Sequence, residues 1–370
     1  MAEIIEGKLG ATSLATASQA GDVLAACVPW VLGVRSSAGI AEATRVFQQW
    51  PRLLAAAEAH GLLPVVAGCF DSLGVQAPAW VLQALDRALR ENARRVLVMS
   101  EELNGILRQF ESAGVPALAV KGPVNAWTLY DDPAYRVFSD LDLLVPSACL
   151  SEAQRVLSVC GYRPSGPDRF PVGGEVSRLT EFAYENTQNG IHVDLHRELT
   201  PPDWFASLPP NLWQRTRTAT VGGCPVRTLG EDDTFLYLCF HGAKHGWSSL
   251  NWLLDVASLA LRSPGIGRNS LRLVDPKSKA AAMVQFGVAA SAALAPGIPQ
   301  FAEARTGIPE RILALARAVV RKALSGETPD RTAWDRCRFQ WNLGGSQLAL
   351  SRYIVLWLFA PDRDLLQLIR

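Results

Sequence analysis

Apolar positions in the first hundred residues recur at helical spacing. Phe47, Leu53, Leu54 and Leu62 fall on one side of such a path, and Pro51 marks a helix start or a kink. From Ala79 to Ala113 the pattern lengthens through Val81, Leu82, Leu85, Leu89, Val96, Leu97, Leu103, Ile106, Leu107 and Phe110. Arg87, Arg90, Glu91, Arg94, Arg95, Glu101 and Glu102 fill the remaining positions, as on a solvated helix face. This predicts one long helix, or two in line, ending at Gly114.

The period then changes. Val115 to Val120 reads as a short buried strand ending at Lys121-Gly122, and a helix from Pro123 to about Tyr130 follows, with proline at its first position. A strand begins at Asp140. Ser147 is the expected cap of the next helix, which carries Leu150, Val156, Leu157 and Val159 and ends at Gly161. Asn189-Gly190 and Gly222-Gly223 are hairpin signals; the first joins the run Leu179 to Thr187 to a strictly alternating strand, Ile191 to His196. Beyond Gly230 the chain turns helical again, with Asp232 or Asp233 as cap and a second helix from Trp252 to Leu261. Ser263 to Asp275 reads as an exposed connection, and Leu348 to Phe359 as a last apolar helix. The economical architecture is α+β: a small mixed β-sheet with helices on one face, over residues 101–230, between an N-terminal helical region (1–100) and a C-terminal helical domain (231–370).

Composition narrows the function classes. The chain has 370 residues, 49% hydrophobic and 19% charged, enough for two or three packed domains. A net charge of +1 gives no field favouring nucleic acid or an anionic membrane, which argues against a template groove. Seven cysteines, an odd number with no C-x-x-C pair, suit buried thiols in a reducing cytoplasm. The start, Met1 to Glu6, carries acids where a signal peptide needs a basic head. Leu24–Val34 is too short to span a bilayer, and Ala280–Pro299 is broken by Gln285, Gly287, Ser291 and Pro296, so both are expected to be core helices.

The chemistry concentrates in Asp140-Leu141-Asp142-Leu143-Leu144. Alternate strand side chains share a face, so both carboxylates project together while Leu141 and Leu143 enter the core. Two carboxylates so close repel unless a cation intervenes, and hard Mg²⁺ prefers carboxylate oxygens. The bland alternative is a strand end with two solvated aspartates. A third carboxylate favours the metal: Asp194 shares a strand face with His192 and His196, opposite Ile191, Val193 and Leu195. If the two strands are neighbours, three carboxylates converge on a site able to hold two metal ions.

At these residues the chain resembles the DNA polymerase β-like nucleotidyltransferases, whose signature is a glycine turn after a strand, an Asp-apolar-[Asp/Glu] pair, and a later acidic strand residue. It is most similar to a poorly characterised bacterial group with a Lys-Gly turn, an arginine shortly before the Asp pair, and a later Val-Asp-Leu-His; here these are Lys121-Gly122, Arg136 and Val193 to His196. His241-Gly242-Ala243-Lys244-His245-Gly246-Trp247, followed by Trp252-Leu253-Leu254-Asp255, is also similar to that group. The resemblance implies a nucleotidyltransferase core flanked by helical domains. It implies Mg²⁺ (or Mn²⁺) held by Asp140, Asp142 and Asp194, with transfer of a nucleoside monophosphate from a nucleoside triphosphate to an acceptor and release of pyrophosphate.

Lys121, Gly122 and Arg136 are the expected phosphate contacts, although Arg136 has pairing with Asp140 as an equal alternative. His241 and His245 lie one turn apart on a helix that, with Lys244, is expected to close over the nucleotide; the alternative is that the histidines are structural. His192 or His196 is expected to hold a carboxylate in place. Trp247 is a candidate stacking platform for the base. One departure stands out: Pro123 follows Gly122 where the wider superfamily has Gly-Ser or Gly-Gly, so a backbone donor to phosphate is lost. That departure sustains a second expectation, a catalytically inactive module that binds a nucleotide or a partner protein.

Overall fold

A computed structural model of the chain describes residues 17–33, 38–45, 47–165, 180–200, 209, 211–296, 298–325 and 333–343. The expected tail helix, Leu348 to Phe359, and the side chain of Cys337 lie outside the described residues.

Among the described residues four helices come first: α1 (Ala17–Val31), α2 (Ala38–Thr44), α3 (Trp50–Ala59, with Pro51 in its first turn) and α4 (Leu63–Leu73). The long apolar pattern forms a single helix, α5 (Ala79–Ser112). At 1.5 Å per residue it spans about 50 Å. The expected boundary at 100/101 falls within it. The N-terminal part of its apolar face, Val81, Leu85 and Ala88, packs with the helical regions. The C-terminal part of the same face, Val96, Met99, Leu103, Ile106 and Phe110, supports the sheet.

The sheet elements follow: β1 (Leu118–Val120), α6 (Gly122–Leu129), β2 (Asp140–Leu144), α7 (Leu150–Val159), β3 (Tyr162–Pro164), β4 (Glu181–Asn186) and β5 (His192–His196). They form a five-stranded mixed sheet in the order β1-β2-β5-β4-β3, in which only β2 and β5 run parallel. Leu141, Leu143, Val193 and Leu195 are fully buried beneath it, each contributing on the order of 2 kcal/mol from burial. Ser147 does not cap α7: a 3-10 turn over Ser147–Cys149 precedes the helix, and no side chain caps it. A separate hairpin, β6 (Arg217–Val221) and β7 (Cys224–Thr228), turns at Gly222-Gly223 as its sequence predicts.

The C-terminal helices are α8 (Glu231–Lys244), α9 (Leu250–Arg262), α10 (Ile266–Arg272), α11 (Lys279–Leu294), α12 (Pro299–Ala304), α13 (Glu310–Ala323) and α14 (Ala333–Leu343). Two expectations need correction here. Gly230, not Asp232 or Asp233, is the N-cap of α8, because both carboxylate oxygens of Asp233 accept hydrogen bonds from Arg215, at 2.8 and 2.9 Å. The stretch Ser263 to Asp275 is not simply an exposed connection, since it contains α10, with Ile266 and Ser270 buried.

One apolar core joins the N-terminal and C-terminal helices, through Leu24, Leu53 and Phe70 on one side and Phe240, Leu254 and Phe286 on the other. Helices also cover both faces of the sheet rather than one. Tyr237 of α8 packs on Leu118, Val120 and Leu144, on the face opposite Leu141 and Leu143. That leaves a cavity between α8 and the middle of the sheet. Among the described residues, no helix is long and apolar enough to cross a membrane.

Candidate active site

The strand register builds this cavity. Asp142 of β2 lies directly beside Asp194 of the parallel strand β5, with Asp140 two residues earlier on the same face. The adjoining antiparallel pair sets Glu181 opposite His196 on that face too. A cavity of about 370 Å³ opens above them. All of Lys121, Gly122, Arg136, Asp140, Asp142, Asp194, His241, Lys244 and His245 line it. His192 is exposed and lies outside this lining.

Asp142 is the buried centre, with a side chain 2% exposed. Lys121 Nζ stands 2.8 Å from its Oδ1, and His196 Nε2 stands 3.1 Å from the same oxygen. The other ring nitrogen of His196 faces Glu181 at 3.9 Å, and Lys244 Nζ lies 3.9 Å from the same Glu181 oxygen. Lys121 reaches Asp142 through an unusual backbone: its φ is +50° although it carries a side chain. Such a conformation costs about 1–3 kcal/mol and persists only where its surroundings impose it. Gly122, at φ +42°, makes the turn's close approach to β2 feasible, because a Cβ there would sit 3.1 Å from the carbonyl oxygen of Asp140.

Arg136 has a different partner from either expected one. Its Nε and Nη2 donate to Asp255 of α9, with the shortest contact at 2.7 Å, and its Nη1 donates to the carbonyl oxygen of Gly122 at 3.2 Å. Tyr130 and Asn125 donate to the same carboxylate. The Lys-Gly turn is thereby tied to α9. This explains the similarity at Trp252 to Asp255 in physical terms: Asp255 fixes the arginine that fixes the turn.

The His-Lys-His segment ends α8. The rings of His241 and His245 meet at a tilt, 4.8 Å between centroids, and Trp252 contacts them at 5.3 and 5.1 Å, forming an aromatic wall opposite the carboxylates. Trp247 is not part of that wall. It is 1% exposed, and its ring packs over Gly242 and against Phe286. A Cβ at position 242 would meet that ring at 2.6 Å, so the glycine makes room for the tryptophan.

A family model for an uncharacterised nucleotidyltransferase matches residues 48–288. The chain belongs to this nucleotidyltransferase family. No curated protein matches the sequence. A solution structure of the antibiotic-resistance factor ANT(2'')-Ia is similar over 47% of this chain and 88% of that one, at 14% identity and a TM-score of 0.34.

The electrostatics of the nucleotidyltransferase cavity are unbalanced. Burial would raise the Asp142 carboxyl, but Lys121 and His196 outweigh it and hold it at about 2. Asp140 is raised by burial and by Asp142, with only partial relief from Lys121 and Arg136. Asp194 is pushed up to about 7 by burial and by Glu181, Asp142 and Asp140. Glu181 moves down against its burial, because His196, Lys244 and Lys121 face it. His241 is held well below the usual imidazole range by burial and then by Lys121, His245, Lys244 and Arg136, and so is neutral.

This donor set suits a hard divalent cation: carboxylate oxygens in excess of the cations that face them. Among the described residues, however, no group of three or more histidine, cysteine or acidic side chains is arranged to hold a metal ion. Glu181, like Glu198 and Tyr237, lines the cavity and is passed over by motif reasoning. The alternation about buried Phe182 and Tyr184 was its only signal, placing Glu181 on the polar face of β4.

Proposed function

We propose that this nucleotidyltransferase moves a nucleoside monophosphate from a nucleoside triphosphate to an acceptor that is a small molecule, a peptide or a protein. The acceptor oxygen bonds to the α-phosphorus, the bond from that phosphorus to the bridging oxygen breaks, and pyrophosphate leaves with the electron pair. The observation that carries this reading is the β2–β5 register, which sets Asp142 beside Asp194 and Asp140 on one face above the cavity.

Asp140, Asp142 and Asp194 are the residues that would hold Mg²⁺, with Mn²⁺ as a substitute. When bound, the ion would neutralise charge on the phosphates and on the carboxylates together. The chain's own groups do the rest. Asp194 accepts the acceptor's proton. Lys121 binds phosphate as a point charge, which offsets the donor lost at Pro123. The aromatic wall of His241, His245 and Trp252 faces the carboxylates across the cavity and excludes water from the triphosphate. Arg136 acts by fixing the Lys-Gly turn, since Asp255 engages its guanidinium.

Incubation with ATP, GTP, CTP or UTP, Mg²⁺ and candidate acceptors, with pyrophosphate as the readout, tests this reading. Acceptor-dependent pyrophosphate that disappears in Asp140→Ala supports it. A second reading, a module that binds nucleotide without turnover, is favoured by the Lys121–Asp142 contact, which occupies a carboxylate the transfer needs. Nucleotide binding with no pyrophosphate under any acceptor would select that reading.

A further inference from the structure

The cavity contains more carboxylate than cation, yet one oxygen of its deepest carboxylate is already engaged from within the chain. Lys121 Nζ and His196 Nε2 converge on one oxygen of Asp142, at 2.8 and 3.1 Å. A divalent ion on that oxygen would sit about 2.1 Å away. An ammonium at 2.8 Å from the same atom would then face a doubly charged neighbour at close range, and the two exclude each other.

The backbone shows that the contact is built rather than incidental. Lys121 holds a left-handed φ of +50°, imposed from three sides: Arg136 binds the carbonyl oxygen of Gly122, the amide of Asn125 donates to the carbonyl oxygen of Lys121, and Gly122 sits against Asp140. The fixed turn aims a flexible four-carbon side chain at Asp142. Lys121 is the N-cap of α6, so phosphate arriving at that helix end would come within reach of the same ammonium.

We infer that Lys121 is a cation placeholder: it occupies Asp142 in the free protein and gives it up to a triphosphate, so that Asp140, Asp142 and Asp194 become a metal site only when nucleotide is present. The inference rests on the proposed transfer function and adds an order to it. Free metal ion is excluded from the empty site, and one lysine serves first the carboxylate and then the phosphate.

The test is titration of the nucleotide-free, full-length protein with Mn²⁺ alone, followed by electron paramagnetic resonance of the unbound ion. Lys121→Met is expected to bind Mn²⁺ tighter than wild type by about tenfold or more, because a competing charge has gone. Lys121→Gln, which keeps a donor without the charge, is expected to fall between them and supplies a second variant should the first fold poorly; thermal melts establish folding in each. Adding Asp142→Asn to Lys121→Met is expected to cancel the gain. Equal or weaker Mn²⁺ binding in both lysine variants overturns the placeholder. If wild-type binding is nevertheless lost in Asp142→Asn, the transfer reading stands without it. If no protein in the set binds Mn²⁺ through Asp142, the placeholder falls, and pyrophosphate release in the presence of nucleotide decides the transfer reading separately.

Discussion

Arg136–Asp255 and Lys121–Asp142 are both buried ion pairs, with closest contacts of 2.7 and 2.8 Å. Both are anchored at the same turn, but their surroundings differ. Asp255 receives Arg136 in a forked contact, together with Asn125 and Tyr130, and no other carboxylate faces it in these contacts. Asp142 shares its cavity with Asp140, Asp194 and Glu181. One arrangement saturates a charge; the other leaves negative charge in excess. A saturated pair fixes geometry, whereas an unsaturated one is poised to take up a cation or polyphosphate complex. That distinguishes the surroundings of Arg136 from those of Lys121, although from sequence both were expected to meet phosphate.

The largest expected effect comes from the unsaturated cluster. Asp140→Ala or Asp142→Ala should lower transfer by about 10³-fold or more while the protein still melts cooperatively. Pyrophosphate release and circular dichroism measure the two quantities, and full activity in either variant removes the metal-holding role. The saturated pair should behave in the opposite way. Asp255→Ala strands a buried guanidinium and should cost about 3–5 kcal/mol of stability. Replacing Arg136 and Asp255 together by Met and Leu should recover much of that loss while still impairing activity through the freed turn. A denaturant titration that finds the double variant no more stable than Asp255→Ala would contradict the assignment of Arg136 to structure.

The turn that links the two pairs should respond to a smaller change. Gly122→Ala places a Cβ against the Asp140 carbonyl at a φ that side chains rarely adopt, for about 1–2 kcal/mol. Its activity loss should exceed that of an equally destabilising variant elsewhere, such as Gly242→Ala beneath Trp247.

The smallest effect is on pH dependence. The folded carboxyl of Asp194 lies near 7, above its unfolded value of about 3.9. The unfolded chain therefore gives up this proton first, and the metal-free protein should lose stability as pH rises between those two values. Asp194→Asn should flatten that slope and gain about 1 kcal/mol at pH 8, a discounted figure because the side chain is partly exposed. A melting profile with the same slope in both proteins would show that the cluster is already neutralised.

Much of this was legible locally. The alternation Asp140-Leu141-Asp142-Leu143 and the strict period of Ile191 to His196 fixed which side chains share a face, because strand geometry leaves no other choice. The long helix Ala79 to Ser112 was legible for the same kind of reason: its apolar residues keep one period across nine turns' worth of chain. The motif HGAKHGW was visible but misread at Trp247, since sequence spacing does not reveal that Gly242 has vacated the volume its indole fills.

The amino-acid sequence by itself determined the central strands, the long helix, the polar face of each of those strands, and a set of residues with the chemistry expected of nucleotidyl transfer. Only the tertiary structure decided which charges meet. It paired Arg136 with an aspartate 119 positions away, turned Lys121 onto Asp142, and brought Glu181 to the cavity's edge. Period and propensity are properties of neighbouring residues, whereas the balance of a buried charge depends on every group that packs around it, however distant along the chain.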